Sequence, residues 1–203
     1  SSTHPNAILD AVDGLYYTAC YSVYMSNCNI RSNAFGSEYN VIVGACDGFY
    51  ASNCHWGFGT AAPLLISSEQ SNIGMNNLMF NNVFFDPAGA VDSEYAVMFN
   101  TDLGPAGATV IDPAFIGCTF GGGTDTGVHI GSAVKRPRFV GCMFKTSLRY
   151  NLLLTNASIE NAVITGNVFH AADSTGVNAA SVFLNAGDGA VISGNTFQTG
   201  SRA

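Results

Sequence analysis

Two acidic residues, Glu160 and Asp188, occupy equivalent places in a repeated sequence. Each lies seven residues before an asparagine, Asn167 and Asn195 respectively. Enzymes that hydrolyse glycosidic bonds use two carboxyl groups, about 5–5.5 Å apart in retaining enzymes and about 6.5–9.5 Å apart in inverting ones. If successive repeats stack at the strand spacing of about 4.8 Å, the two residues form a candidate catalytic pair.

Basic residues occupy the same aligned position, or column, one repeat earlier. Lys135 and Arg136 lie there, and Asp112 precedes them by one more repeat. A guanidinium group binds a carboxylate in a bidentate manner, so Arg136 and Lys135 are candidate residues for binding an acidic sugar. A solvated ladder of charges at a turn, or a contact between subunits, explains the same column without catalysis.

Aromatic residues supply a second set of candidate binding residues. Phe58 and Tyr95 lie in or beside the two longest repeats and are candidates for stacking on a sugar ring. The single tryptophan, Trp56, stands where the other repeats carry Phe or Ile, so it is expected in the core. Five of the seven basic residues lie between Lys135 and Arg149, and this patch is expected to face acidic loops of a neighbouring subunit or acidic sugars.

These candidates must be positioned by seven copies of one short pattern. The pattern is an apolar residue, any residue, Asn or Gly, Cys or Asn, any residue, and a large apolar residue. Its copies are residues 25–30, 51–56, 79–84, 115–120, 139–144, 164–169 and 192–197. The two apolar positions are an odd number of residues apart, so both face inward only if the chain bends between them. Asn or Gly at the third position suits a bend with positive φ.

A second apolar run in each period predicts another strand. These runs are residues 41–43, 64–66, 96–99, 128–130, 152–154 and 182–184. The last residues of successive pattern copies are 26, 28, 36, 24, 25 and 28 residues apart. A leucine-rich repeat has a similar period, but its spaced leucines and helical half are missing. The pattern therefore predicts one coil of a parallel β-solenoid per repeat.

With its I-x-G-N-x-F bends at residues 164–169 and 192–197, the chain resembles the pectate-lyase-like parallel β-helices, most of all those of bacteriophage tailspikes. The resemblance covers roughly residues 15 to 200. It implies an all-β fold, a right-handed single-stranded parallel β-helix of about seven coils. Residues 15–203 are expected to form this domain, after a short helical cap or linker over residues 1–14.

Cysteine usage and charge restrict the environment of the chain. Cys28, Cys54, Cys118 and Cys142 fall in the bend column, and they are expected to be small buried hydrophobic residues made in a reducing cytosol. A net charge of −7 argues against a nucleic-acid partner, and no apolar run is long enough to predict insertion into a membrane. We recognise no ligand spacing for a metal and no cofactor motif.

Three functions are compatible with these features. The first is a segment of a virion tail spike or fibre that contacts host cell-surface polysaccharide, as the resemblance implies. Such a segment is a homotrimer that works with other virion proteins, is made in the host cytoplasm and acts outside the cell. The second is a polysaccharide hydrolase or lyase that uses Glu160 and Asp188, and the third is a structural stalk or decoration protein. The repeat predicts the fold and does not distinguish these functions.

Overall fold

The structure is a computed structural model of the 203-residue chain. It describes residues 7–10, 14–17, 22–31, 38–44, 46–57, 59–67, 75–87, 94–100, 109–121, 125–145, 147–170, 180–185 and 188–198, with the backbone alone for 7–10 and 14–17. Within these ranges every regular element is a β-strand, so the predicted all-β class is confirmed.

The strands form three sheets. The first contains β1 (Ala7–Asp10), β2 (Gly14–Tyr17), β5 (Tyr39–Gly44), β8 (Ala62–Ser67), β11 (Tyr95–Asn100), β15 (Thr126–Ile130), β19 (Tyr150–Leu154) and β22 (Ala180–Leu184). The second contains β3 (Val23–Ser26), β6 (Asp47–Ser52), β9 (Met75–Asn81), β12 (Val110–Ile111), β13 (Ala114–Ile116), β16 (Val134–Lys135), β17 (Arg138–Val140), β20 (Val163–Thr165) and β23 (Val191–Ser193). The third contains β4 (Asn29–Arg31), β7 (His55–Gly57), β10 (Phe84–Asp86), β14 (Thr119–Phe120), β18 (Met143–Phe144), β21 (Val168–Phe169) and β24 (Thr196–Phe197).

Successive coils pair in parallel in all three sheets, and the strands stack as a β-solenoid of about five turns. About seven coils were predicted from the repeats, slightly more than the structure shows. Each outermost described coil has a neighbouring coil on one side only. The six apolar runs predicted as a second strand all lie in the first sheet. The parallel solenoid predicted from the repeat is therefore confirmed.

Two columns of bends turn the chain within each coil, and together they contain every positive-φ residue in the described ranges. The first bend column joins the second sheet to the third, at Asn27, Asn53, Asn82, Gly117, Gly141, Gly166 and Gly194. The second bend column lies in the second sheet, at Gly48, Asn77, Asp112, Arg136, Asn161 and Gly189. The first was predicted from the Asn or Gly of the repeat, because these residues tolerate the left-handed region.

The core is a set of stacked apolar columns inside the solenoid. Phe80, Phe115 and Phe139 are fully buried, and their ring centroids are 4.8 and 5.1 Å apart along the second sheet. Trp56 is also fully buried, as predicted, in a parallel column on the third sheet. Burying an aromatic side chain of this size stabilises the fold by about 1.5–3 kcal/mol.

The third copy of the repeat has a different frame from the predicted 79–84. Phe80 and Asn82, not Met79 and Asn81, align with the following coil, so Asn82 is the bend residue and Val83 fills the next column. Phe85 is buried where Phe84 was expected. The adjacent pairs Asn81–Asn82 and Phe84–Phe85 fit the third and sixth positions of the pattern in both frames. Only the predicted frame puts Asn, rather than Val83, at the fourth position, which explains the error.

The N-terminal segment does not form the predicted short helix over its described residues. A short helix was expected to end at Gly14, but Ala7–Asp10 is a strand that pairs antiparallel with Gly14–Tyr17. The remainder of the predicted cap lies outside the described residues.

Candidate functional site

The predicted catalytic residues do come together in the solenoid. Glu160 and Asp188 form a parallel bridge on neighbouring coils, and Lys135 is the bridge partner of Glu160 on the other side. Their backbones are therefore separated by one strand spacing, about 4.8 Å. This confirms their placement in one column and leaves their predicted role untested.

Two side chains of this column, Lys135 and Glu160, form an ion pair. Nζ of Lys135 lies 3.4 Å from Oε1 of Glu160, and both side chains are more than 40% exposed, at 42% and 44%. An exposed ion pair of this kind contributes little to stability. The arrangement leaves Asp188 as an exposed carboxylate one coil further on.

Arg136 and Asp112 belong to the neighbouring column, the second bend column, and not to the column of Glu160. Nε and Nη2 of Arg136 donate to the two carboxylate oxygens of Asp112 at 2.6 and 2.7 Å. These hydrogen bonds lower the pKa of the Asp112 carboxyl group, and Asp112 raises the pKa of the Arg136 guanidinium. Arg136 is thus already engaged in the bidentate contact that was predicted for a sugar carboxylate.

The five basic residues between Lys135 and Arg149 do not form one patch. Consecutive residues travel around a coil, so these side chains are spread over its circumference. Arg149 contacts Asp125 at 3.0 Å beside the first sheet, whereas Lys145 lies 4.6 Å above the Phe84 ring on the third. The prediction of a basic patch was wrong. On a solenoid, residues close in sequence are spread around one coil, and residues close in space come from the same column of neighbouring coils.

Of the two predicted stacking residues, Tyr95 is half-buried and Phe58 lies outside the described residues. The Tyr95 ring stacks on His129 with centroids 5.3 Å apart. Burial raises the pKa of its hydroxyl, and Glu94 and Asp125 raise it further. One face of the Tyr95 ring is therefore used within the chain.

A different aromatic pair, an exposed Tyr24 and a half-buried Tyr50, lies on the outer side of the second sheet. Tyr24 is 77% exposed, and its ring stacks on Tyr50 of the next coil with centroids 4.9 Å apart and planes within 10°. Tyr24 and Ser26 point outward because they alternate along the strand with Val23 and Met25, which point into the core.

Uncharged polar side chains flank this pair. Ser26 and Ser52 form the next outward column, and Nδ2 of Asn82 donates to Oδ1 of Asn53 at 2.8 Å in the exposed first bend column. We call the surface of Tyr24, Tyr50, Ser26, Ser52, Asn53 and Asn82 the Tyr24–Tyr50 face. It offers an aromatic ring together with amide and hydroxyl groups that both donate and accept hydrogen bonds.

Sequence reasoning did not assign this face, although a signal for it was present. Tyr50 repeats Tyr24 at an offset of 26 residues, and a Ser-Asn-Cys sequence begins two residues after each tyrosine. The alternation of buried and exposed residues in β3 would have placed both tyrosines outside the core.

A charged network on the third sheet was also missed, because its members are 24 and 31 residues apart in the chain. The Arg31 guanidinium donates to Nδ1 of His55 at 2.9 Å, and Nε2 of His55 lies 3.2 Å from Oδ2 of Asp86. This network assigns the ring hydrogen to Nε2. Both ring nitrogens are engaged, so His55 links Arg31 to Asp86.

Metal sites and membrane-spanning helices do not occur among the described residues. No group of three or more His, Cys, Asp or Glu side chains there is arranged to hold a metal ion. Nor do the described residues include a helix that is long and apolar enough to cross a membrane.

No protein-family model, curated protein or solved structure matches the chain. Its function must therefore be inferred from the geometry of the solenoid and its surfaces.

Proposed function

We propose that the chain is a segment of a virion tail spike or fibre of the bacteriophage type that contacts host cell-surface polysaccharide. The observation that carries this proposal is the Tyr24–Tyr50 face, an aromatic pair beside serine and asparagine columns on a rigid sheet. Tyrosine has an apolar ring and a polar hydroxyl, which suits it to sugars. Columns that repeat at about 4.8 Å suit a ligand that is itself a polymer.

The proposal includes assembly as a homotrimer with other virion proteins, synthesis in the host cytoplasm and action outside the cell. The described cysteines Cys28, Cys54, Cys118 and Cys142 are free thiols, the usual state in a reducing compartment. Light scattering tests the assembly directly. A solution mass three times the chain mass of 21.2 kDa supports it, and a monomer argues against the homotrimer.

A second function, cleavage of polysaccharide, is favoured by the register of Glu160 and Asp188. Two carboxylates on neighbouring coils approach the separation of about 5–5.5 Å that retaining glycosidases use. In this alternative Glu160 and Asp188 are the catalytic residues, and Lys135 holds an acidic sugar.

A panel of bacterial surface polysaccharides, assayed for binding and for cleavage, distinguishes these functions. We expect binding without cleavage. Cleavage that is lost in Glu160→Gln and retained in Asp112→Asn, a carboxylate of the neighbouring column, would favour the enzyme. If no polysaccharide of the panel binds, the proposal is contradicted and a structural stalk remains.

A further inference from the structure

Cys28 and Cys54 are stacked on one another at the first bend. The pairing Asn29↔His55 on one side and Ser26↔Ser52 on the other puts the two cysteines in register. The N–H of His55 donates to the Cys28 carbonyl at 2.8 Å, and the two thiols donate to equivalent carbonyls, Cys28 to Ser26 at 3.3 Å and Cys54 to Ser52 at 3.2 Å. In-register neighbours on adjacent parallel strands have Cα atoms about 4.8 Å apart, within the range of about 4.4–6.8 Å that a disulfide spans.

The same column contains a second cysteine pair in the same geometry. Cys118 and Cys142 are also in register on adjacent coils, because the residues that follow them, Thr119 and Met143, are paired. Their exposed fractions are 0% and 1%, whereas Cys28 is half-buried and Cys54 is 4% exposed. The two pairs therefore differ mainly in the access of a reagent from solvent.

We propose that Cys28 and Cys54 form a redox modification site, at which a small disulfide oxidant joins the two coils by a disulfide bond. Cys28 is the point of entry because it is half-buried, whereas Cys54 is buried. Its thiolate attacks the oxidant, for which oxidised glutathione serves as the probe, and forms a mixed disulfide while one reduced glutathione leaves. The Cys54 thiolate then attacks the Cys28 sulfur and releases the second reduced glutathione.

The reaction balances without a further component. Two protein thiols are oxidised to one disulfide and lose two hydrogens, and one oxidised glutathione is reduced to two thiols. Burial raises the pKa of the Cys54 thiol, so the second step is expected to become faster as the pH is raised.

The disulfide would fasten the coil that carries Tyr24 to the coil that carries Tyr50. Cys28 lies four residues after Tyr24, and Cys54 lies four residues after Tyr50. Cross-linking restricts the unfolded chain, so the oxidised protein is expected to unfold at a higher denaturant concentration. The redox site does not require the proposed polysaccharide ligand, because it depends only on the two thiols.

The experiment exposes the native full chain to oxidised glutathione, blocks free thiols with iodoacetamide, and maps the peptides by mass spectrometry without reduction. We expect a cross-linked peptide pair containing Cys28 and Cys54, with Cys118 and Cys142 alkylated only after denaturation. The Cys28→Ser variant should lose the cross-link entirely. The Cys118→Ser variant, altered in the matched buried pair, should retain it.

Three outcomes would overturn the inference. One is a Cys28–glutathione adduct that never proceeds to the protein disulfide. Another is oxidation of Cys118 and Cys142 in the native protein as fast as that of Cys28 and Cys54. The third is a disulfide between Cys28 and a different cysteine. If that cysteine is Cys20 or Cys46, the disulfide is absent from the Cys20→Ser or the Cys46→Ser variant.

Discussion

Four side chains that follow the first bend donate a hydrogen bond to a backbone carbonyl one coil earlier. The pairs are Cys118 to Phe80 at 3.3 Å, Cys142 to Phe115 at 3.2 Å, Asn167 to Phe139 at 2.9 Å and Asn195 to Ile164 at 2.9 Å. A hydrogen bond to a buried carbonyl contributes about 0.5–1.5 kcal/mol to stability, so this column favours small side chains that donate. The cysteines are buried, as predicted from the repeat, and they also act as donors.

Asn167 tests this explanation at the level of one residue. It donates to Phe139 and Asn195, and its Oδ1 accepts from the Cys142 N–H at 2.8 Å. Asn167→Ala leaves the buried Cys142 N–H unpaired and removes the side-chain hydrogen bond to the Phe139 carbonyl, and we expect the free energy of unfolding to fall by about 1–3 kcal/mol in urea titrations. The control is Asn195→Ala. Asn195 is half-buried and lies in the last described coil, where most residues are exposed, so a smaller loss is expected. Equal losses in the two variants would contradict the explanation.

His129 predicts how stability depends on pH. Burial lowers its pKa below 6.5, and its ring contacts Tyr95 and Thr155. At pH values between the lowered pKa of folded His129 and about 6.5, the unfolded chain binds more protons at His129 than the folded chain does. The stabilising contribution of His129 is therefore fully present above about pH 6.5 and decreases as the pH falls through that range. We expect His129→Gln and His129→Phe to lose less stability on acidification than the wild type. A pH dependence identical to the wild type in both variants would refute this role.

At the scale of elements, the bends rather than the strands determine where each coil turns. Gly141 has a φ of 61°, and no heavy atom lies within 4 Å of the position of a Cβ atom there. Gly141→Ala should therefore lower the free energy of unfolding through backbone strain alone, by about 1 kcal/mol. Gly141→Asn should cost less, because Asn27, Asn53 and Asn82 already occupy this column. The expectation fails if urea titration shows equal losses for Ala and Asn.

The first bend and the inward columns were predictable because their chemistry recurs at every coil. The second bend column was not predicted, although four of its six residues are Asn or Gly, because Asp112 and Arg136 interrupt the series in the middle coils. For the same reason Arg136 was assigned one column away from its true position. The register of Glu160 and Asp188 was predictable, because spacing from the bend translates directly into height along the solenoid.

At the scale of the whole molecule, residues that are distant in sequence act together only when they share a column or lie on neighbouring columns. This explains why the basic stretch after Lys135 disperses, whereas Arg31, His55 and Asp86 meet. It also explains the Tyr24–Tyr50 face, which requires two coils to be stacked before it exists. A surface of this kind follows from the alignment of repeats, and the repeat pattern alone does not specify its ligand.

The binding of a polysaccharide to the Tyr24–Tyr50 face is the central claim, and isothermal titration with paired variants tests it most directly. The ligand is a polysaccharide that binds in the panel assay. We expect Tyr24→Ser to weaken binding about tenfold or more, a loss of about 1.4 kcal/mol. Tyr150→Ser, which removes a half-buried tyrosine whose ring packs against the exposed Phe183 of the first sheet, should bind as the wild type does. Wild-type affinity in Tyr24→Ser, or equal weakening in both variants, would contradict the claim.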